Sequence, residues 1–407
     1  MNRLFWQRRL LVAGIALAAT GNAWAQPDWS ELDRFQETIR AETFGRLLQD
    51  VYAPEGRMVP YLRYGENAVR IFSTAEQEEP PLFVLRFGDD RPPERPEIGR
   101  TDAPLAGLRV ALDPGHIGGA WARMEERFFL VNRRTDWPVQ EAALNIHVAR
   151  LLRDRLAAAG AEVLMVKDDF EPVTPLRPDA LLEDAGPLPP PDSRFDHLPD
   201  PFIEAARRDA QRKQVERQFY RTAEIAARAE RINRELRPDV TLCIHFNATG
   251  WGDEKTLYEE NGLTFFIHGN YQAAELAADE QKFFLMRKLL ERSHEEELGL
   301  ARAIADAYMA ATGLPPAYRV GPGGAMHPMS DDHYLYARNL AANRQFFGPV
   351  IFLEPYFMNN RIVYARIQAG DYDGEREIEG AVYPSIFREY ADAVAAGVIA
   401  YYARPAD

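Results

Sequence analysis

Apolar residues follow two rhythms along this chain. From residue 108 onwards, short and nearly unbroken apolar runs alternate with longer stretches in which apolar positions recur three or four apart. Runs of the first kind predict strands covered on both faces, and stretches of the second predict amphipathic helices. The predicted strands are 108–113, 161–167, 240–246, 263–267 and 349–354. The first predicted helix spans 140–159, with Leu144, Val148, Leu151, Leu152 and Leu156 on one face and Gly160 as its stop. Others span about 202–236, 295–312 and 385–402. Strands and helices in this order predict an α/β three-layer fold: a mostly parallel central sheet with helices on both faces.

Ahead of this region, residues 29–51 read as a helix, and 59–72 and 81–87 as strand-like runs. Together they predict a small N-terminal α+β segment over 26–88, with no role legible in it. Residues 89–104 are rich in proline and charge and read as a linker, so the main domain spans 105–407. A second proline-rich excursion fills 171–201, and no internal repeat is evident.

The first 25 residues change the picture of where the protein works. Arg3, Arg8 and Arg9 precede an apolar run over 10–19 and then Ala23-Trp24-Ala25. This is the pattern of a cleaved signal peptide, and the run is far shorter than the ~20 residues a membrane span needs. The expectation is a periplasmic protein starting at Gln26 without a transmembrane anchor. Whether the general or the twin-arginine route exports it stays open. Export permits disulfides, yet Cys243 is the single cysteine and lies in an apolar run, so stability must come from a core. Loss of the three arginines takes the formal charge from −14 to −17. So acidic a chain is not expected to bind nucleic acid.

Three predicted strands end in residues suited to a metal or a proton, and ligands gather at the carboxyl ends of such strands. The first runs into Asp113-Pro114-Gly115-His116-Ile117-Gly118-Gly119, where glycine and proline force a turn that can present His116. Another ends in Cys243-Ile244-His245-Phe246-Asn247, and a third in Phe352-Leu353-Glu354-Pro355. Glu141 sits near the start of the intervening helix. Two neutral imidazoles and one carboxylate would leave a Zn²⁺ ion positively charged with room for water. That set is His116, Glu141 and His245, with one ion per chain. Glu354 then remains as a carboxylate able to take and return a proton. An acid ending an apolar run is costly unless paired or working. Asp113 either supports a ligand histidine or caps the turn, and Asn247 either meets substrate or closes its strand.

The run Val110-Ala111-Leu112-Asp113-Pro114-Gly115-His116-Ile117-Gly118-Gly119 resembles the opening motif of the zinc-dependent N-acetylmuramoyl-L-alanine amidases of cell separation. Glu141-Ala142-Ala143-Leu144-Asn145-Ile146 is similar to the family's glutamate-bearing helix start. Ala229-Glu230-Arg231-Ile232-Asn233 through Ile244-His245-Phe246-Asn247-Ala248 is similar to its second histidine strand, and Val350-Ile351-Phe352-Leu353-Glu354-Pro355-Tyr356 to its catalytic-glutamate strand. Tyr356 stands where the family usually has glycine, and Asn359 where it often has serine.

The resemblance implies a mixed sheet, zinc on His116, Glu141 and His245, Glu354 as catalytic acid/base, and peptidoglycan as substrate. The bond cut would join N-acetylmuramic acid to L-alanine, in wall remodelling or daughter-cell separation. The alternatives are a zinc amidohydrolase acting on soluble muropeptides or other acyl-amino acids, or a non-catalytic wall-binding regulator. Relatives active at division can carry an inserted helix that covers the zinc cleft until a protein activator withdraws it. Residues 271–294 occupy that place here and offer Glu275, Asp279 and Glu280. The same segment equally reads as a helix that packs beside the groove.

Overall fold

The computed structural model describes residues 27–403 except 92–97, 99–102, 133–134, 194–196, 198, 250–255, 318–323, 325 and 332. The expected signal segment lies outside the described residues, as does most of the expected linker.

The N-terminal segment opens with a 3-10 helix Trp29–Phe35, then α1 (Ala41–Leu47), β1 (Leu62–Tyr64), β2 (Ala68–Ile71) and β3 (Phe83–Arg86). The single helix expected over 29–51 is broken at Glu37, which adopts a left-handed φ of 61° that no helix interior accommodates. The run expected over 59–72 folds back on itself: Gly65 donates to the Ala68 carbonyl at 2.7 Å, and β1 pairs with β2 antiparallel.

The main domain continues with β4 (Arg109–Pro114), a short ladder of β5 (Phe128–Phe129) with β6 (Val139–Gln140), and α2 (Glu141–Ala158). Next come β7 (Glu162–Met165), α3 (Pro178–Glu183), α4 (Asp200–Arg217) and α5 (Glu224–Glu230), the last two joined and extended to Leu236 by wider helical turns. β8 (Val240–Ile244), β9 (Leu263–His268), α6 (Asp279–Glu291), α7 (Ser293–Thr312), β10 (His327–Pro328), β11 (Leu335–Arg338) and α8 (Ala341–Gln345) follow. The chain ends with β12 (Val350–Pro355), α9 (Arg361–Gln368), the hairpin β13 (Glu375–Ile378) and β14 (Ala381–Pro384), and α10 (Ile386–Tyr402).

Seven strands form the central sheet in the order β10-β11-β9-β12-β8-β4-β7. β7, β4, β8 and β12 run parallel, whereas β9 is antiparallel to β12 and β10 to β11. Successive side chains point to opposite faces. Leu112, Leu242, Ile244 and Leu353 pack in one layer with Leu152 of α2, Ile304 of α7 and Val394 of α10. Ala111, Cys243, Phe266 and Phe352 pack in the other with Ala229 of α5 and Ala342 of α8. The three-layer, mostly parallel α/β fold is therefore as expected.

The antiparallel β9 decides where residues 271–294 go. Its carboxyl end, His268, emerges at the opposite end of the sheet from Glu354 and the carboxyl ends of β4 and β8. α6 consequently lies against the N-terminal segment, where Phe283, Leu285, Met286, Leu289 and Leu290 share a core with Leu32, Phe44, Val51, Val69 and Leu85. Glu275 accepts from the Gln272 backbone and Asp279 from Ser73 and Lys282. The expectation of an inhibitory helix over the cleft is thus overturned: this segment is the scaffold that docks residues 27–88. Among the described residues, no helix is long and apolar enough to cross a membrane.

Candidate metal and hydrolytic site

β4 and β8 deliver their chemistry side by side because they are in parallel register, Pro114 beside Ile244. Past Pro114 the chain turns sharply, and His116 takes a left-handed φ of 66°. Gly115 is required by its neighbour: a Cβ there would sit 2.0 Å from Cε1 of the His245 ring. A Cβ on Gly118 would meet the Ala142 methyl at 2.5 Å, so this glycine lets the loop lie on the start of α2.

α2 begins at Glu141, whose carboxylate reaches both histidines. Oε2 is 3.1 Å from Nε2 of His116, and Oε1 is 2.9 Å from Nδ1 of His245. One donor atom from each residue lies within 4.8 Å of the others, so the three could hold a metal ion. Phe352 stacks on the His245 ring at 4.1 Å, and the Tyr390 hydroxyl donates to the His245 carbonyl at 3.0 Å. Arg127 pairs with Glu141 at 3.1 Å.

Charge and burial compete here. Burial alone would lower the His116 pKa, but the Glu141 and Glu125 carboxylates outweigh it and raise it to about 9. Burial of Glu141 is likewise outweighed by His116 and His245, which hold its carboxyl well below the ordinary range. His245 moves the other way, lowered chiefly by its burial.

Glu354 is the penultimate residue of β12, one residue beyond the Leu353–Ile244 register pair, and so sits level with His245. It is not one of the three clustered donors and is partly exposed, unlike the fully buried Leu353 before it. Asp113 reaches the turn through Arg228. Its carboxylate pairs with Arg228 at 2.9 Å, and the same guanidinium donates to the carbonyls of Pro114 and His116. The Asn247 backbone donates to the Tyr356 carbonyl, and its side-chain oxygen accepts from Ala248. His268 lies fully buried at the far end of the sheet, bonded to the Tyr271 hydroxyl.

Sequence reasoning missed a ring of supporting residues. Glu125, Asn145, Lys167 and Arg228 are all buried and all bond to the turn around His116. Asn145 stood one helical turn after Glu141, on the same face, which was a readable signal. Glu125 gave none, because it sits among ordinary surface-type charges, whereas Lys167 ends the apolar run of the predicted strand 161–167.

A three-layer α/β domain thus brings two histidines and a glutamate from strand and helix ends close enough to hold a metal ion. The N-acetylmuramoyl-L-alanine amidase family model matches residues 110–387. The chain belongs to this family and is an N-acetylmuramoyl-L-alanine amidase.

Solved structures of similar proteins include an N-acetylmuramyl-L-alanine amidase from Mycobacterium abscessus, 20% identical, with 73% of this chain and 99% of that one covered at a TM-score of 0.38. One from Clostridium difficile 630 is 15% identical, with 74% and 97% covered and a TM-score of 0.38. One from Nostoc punctiforme is 12% identical, with 73% and 98% covered and a TM-score of 0.37. No curated protein matches.

Proposed function

We propose that this protein is a zinc-dependent, exported amidase of peptidoglycan that cuts between N-acetylmuramic acid and L-alanine. The observation that carries the reading is the convergence of His116, Glu141 and His245 from three separate elements within 4.8 Å. Two imidazoles and a carboxylate are the donor set of many hydrolytic zinc sites, and a single buried carboxylate facing both rings fits a divalent cation better than any apolar ligand. These three residues would hold the ion, which when bound supplies Lewis acidity to the scissile amide and to water.

The chain's own groups then divide the remaining work. Glu354, level with His245 but outside the donor cluster, takes a proton from the attacking water and returns it to the departing L-alanine nitrogen. Phe352 and Tyr390 fix the His245 ring and its carbonyl. Residues 1–25 act as a cleaved signal peptide, which places the enzyme in the periplasm with its substrate.

The test pairs metal analysis of the purified mature protein with dye release from labelled sacculi and from soluble muropeptides. About one zinc per chain and chelator-sensitive release from sacculi are expected. Full activity in a metal-free preparation would refute the zinc assignment, and activity confined to soluble fragments would refute the wall substrate.

A further inference from the structure

The turn carrying His116 is gripped from two sides. On one side its carbonyl accepts from Lys167 Nζ at 3.0 Å and from Arg228 Nη2 at 2.8 Å. On the other lies Glu125, 2% exposed, whose carboxylate accepts from the backbone N–H groups of Ile117, at 2.9 Å, and Gly118, at 3.0 Å. Glu125 Oε1 also faces Nδ1 of His116 at 3.5 Å, the long end of hydrogen-bond distance. The other ring nitrogen, Nε2, is the one directed at Glu141.

A carboxylate is more than the turn requires. Two backbone donors could be satisfied by a neutral side-chain carbonyl, and burying a charge is costly unless something uses it. Part of that use is charge balance with the buried Lys167 and Arg228, and the group it faces directly is the imidazole. A ring that donates its Nδ1 proton to a carboxylate keeps its lone pair on Nε2, its orientation is fixed, and it becomes a more basic ligand.

We propose that Glu125 is a positioning residue for the metal: it holds His116 in the Nδ1-protonated tautomer and aims Nε2 at the ion beside Glu141. The proposal rests on the zinc reading above. Lys167 and Arg228 complete the clamp by fixing the His116 carbonyl, so that the left-handed turn cannot relax and carry the ring away.

Two measurements test it. Zinc dissociation constants are determined by chelator competition for the full mature chain, Glu125→Gln and His116→Ala, with circular dichroism to confirm folding. Glu125→Gln is expected to weaken zinc about 10–100-fold, the usual cost of removing a carboxylate behind a ligand histidine. A variant that is less stable but binds zinc as tightly as wild type would reduce Glu125 to turn closure and overturn the proposal. If the wild-type chain binds no zinc, the zinc reading itself fails.

Long-range ¹H–¹⁵N spectra of the zinc-loaded wild-type protein decide the point without any variant. The expected signal is a proton on Nδ1 of His116 with Nε2 shifted by the metal. A proton on Nε2 with Nδ1 as the ligand would overturn the proposal whatever the variants do.

Discussion

Gly115→Ala tests the site with a single methyl group. The φ of Gly115 is not in the left-handed region, so alanine meets no backbone penalty there, and the effect comes from contact alone. The new Cβ would lie 2.0 Å from Cε1 and 2.2 Å from Nε2 of His245, where ordinary contact begins at 3.4 Å. The ring must therefore withdraw by roughly 1.4 Å, but Phe352 is stacked on it at 4.1 Å and leaves no free space. Metal ligation tolerates only about ±0.2 Å, so displacement of this size should cost at least ~10²-fold in zinc affinity. Overpacking should cost a further 1–3 kcal/mol or so of stability.

The assay is chelator competition for zinc, run beside denaturant unfolding of the metal-free protein. The double variant Gly115→Ala/His245→Ala separates the two effects. Removing the ring relieves the clash, so the two stability changes should be non-additive by 1 kcal/mol or so while zinc binding stays lost. Wild-type zinc affinity in Gly115→Ala would refute the close approach of these two strand ends.

Three further outcomes follow from the same geometry. Glu354→Gln should lower turnover on sacculi by at least ~10²-fold with zinc content unchanged, whereas His245→Ala should lose the metal; equal zinc loss in both would make Glu354 a ligand. Leu289→Ala should cost about 2–5 kcal/mol by opening a cavity between α6 and the N-terminal segment, read as a lower melting temperature, and basal activity should not rise. Burial raises the Glu297 pKa from 4.5 to about 6, against the opposing pull of Lys288. A raised folded pKa contributes stability that is present below pH 4.5 and lost as pH passes 6, by about 2 kcal/mol. Denaturant unfolding at pH 4.5 and pH 7 should show this decline in wild type and a smaller one in Glu297→Gln; parallel slopes would refute the assignment.

The sequence alone determined much of this protein, because the signals involved are local. Nearly unbroken apolar runs such as Val110–Leu112 and Val240–Ile244 point to strands buried on both faces, and the amphipathic stretches between them to the covering helices. The order of residues at the strand ends singled out His116, Glu141, His245 and Glu354, since motif residues adjoin the turn that presents them. Tertiary structure decided what depends on strand direction and on distant partners. Nothing in residues 263–268 reveals that β9 runs antiparallel to β12, yet that reversal sends α6 away from the site and onto residues 27–88. Glu125 and Arg228 read as solvated charges in one dimension, and Lys167 as the end of a strand. They bear on His116 only because folding buries all three around one turn, where low dielectric makes each ionic contact strong and each unpaired charge costly.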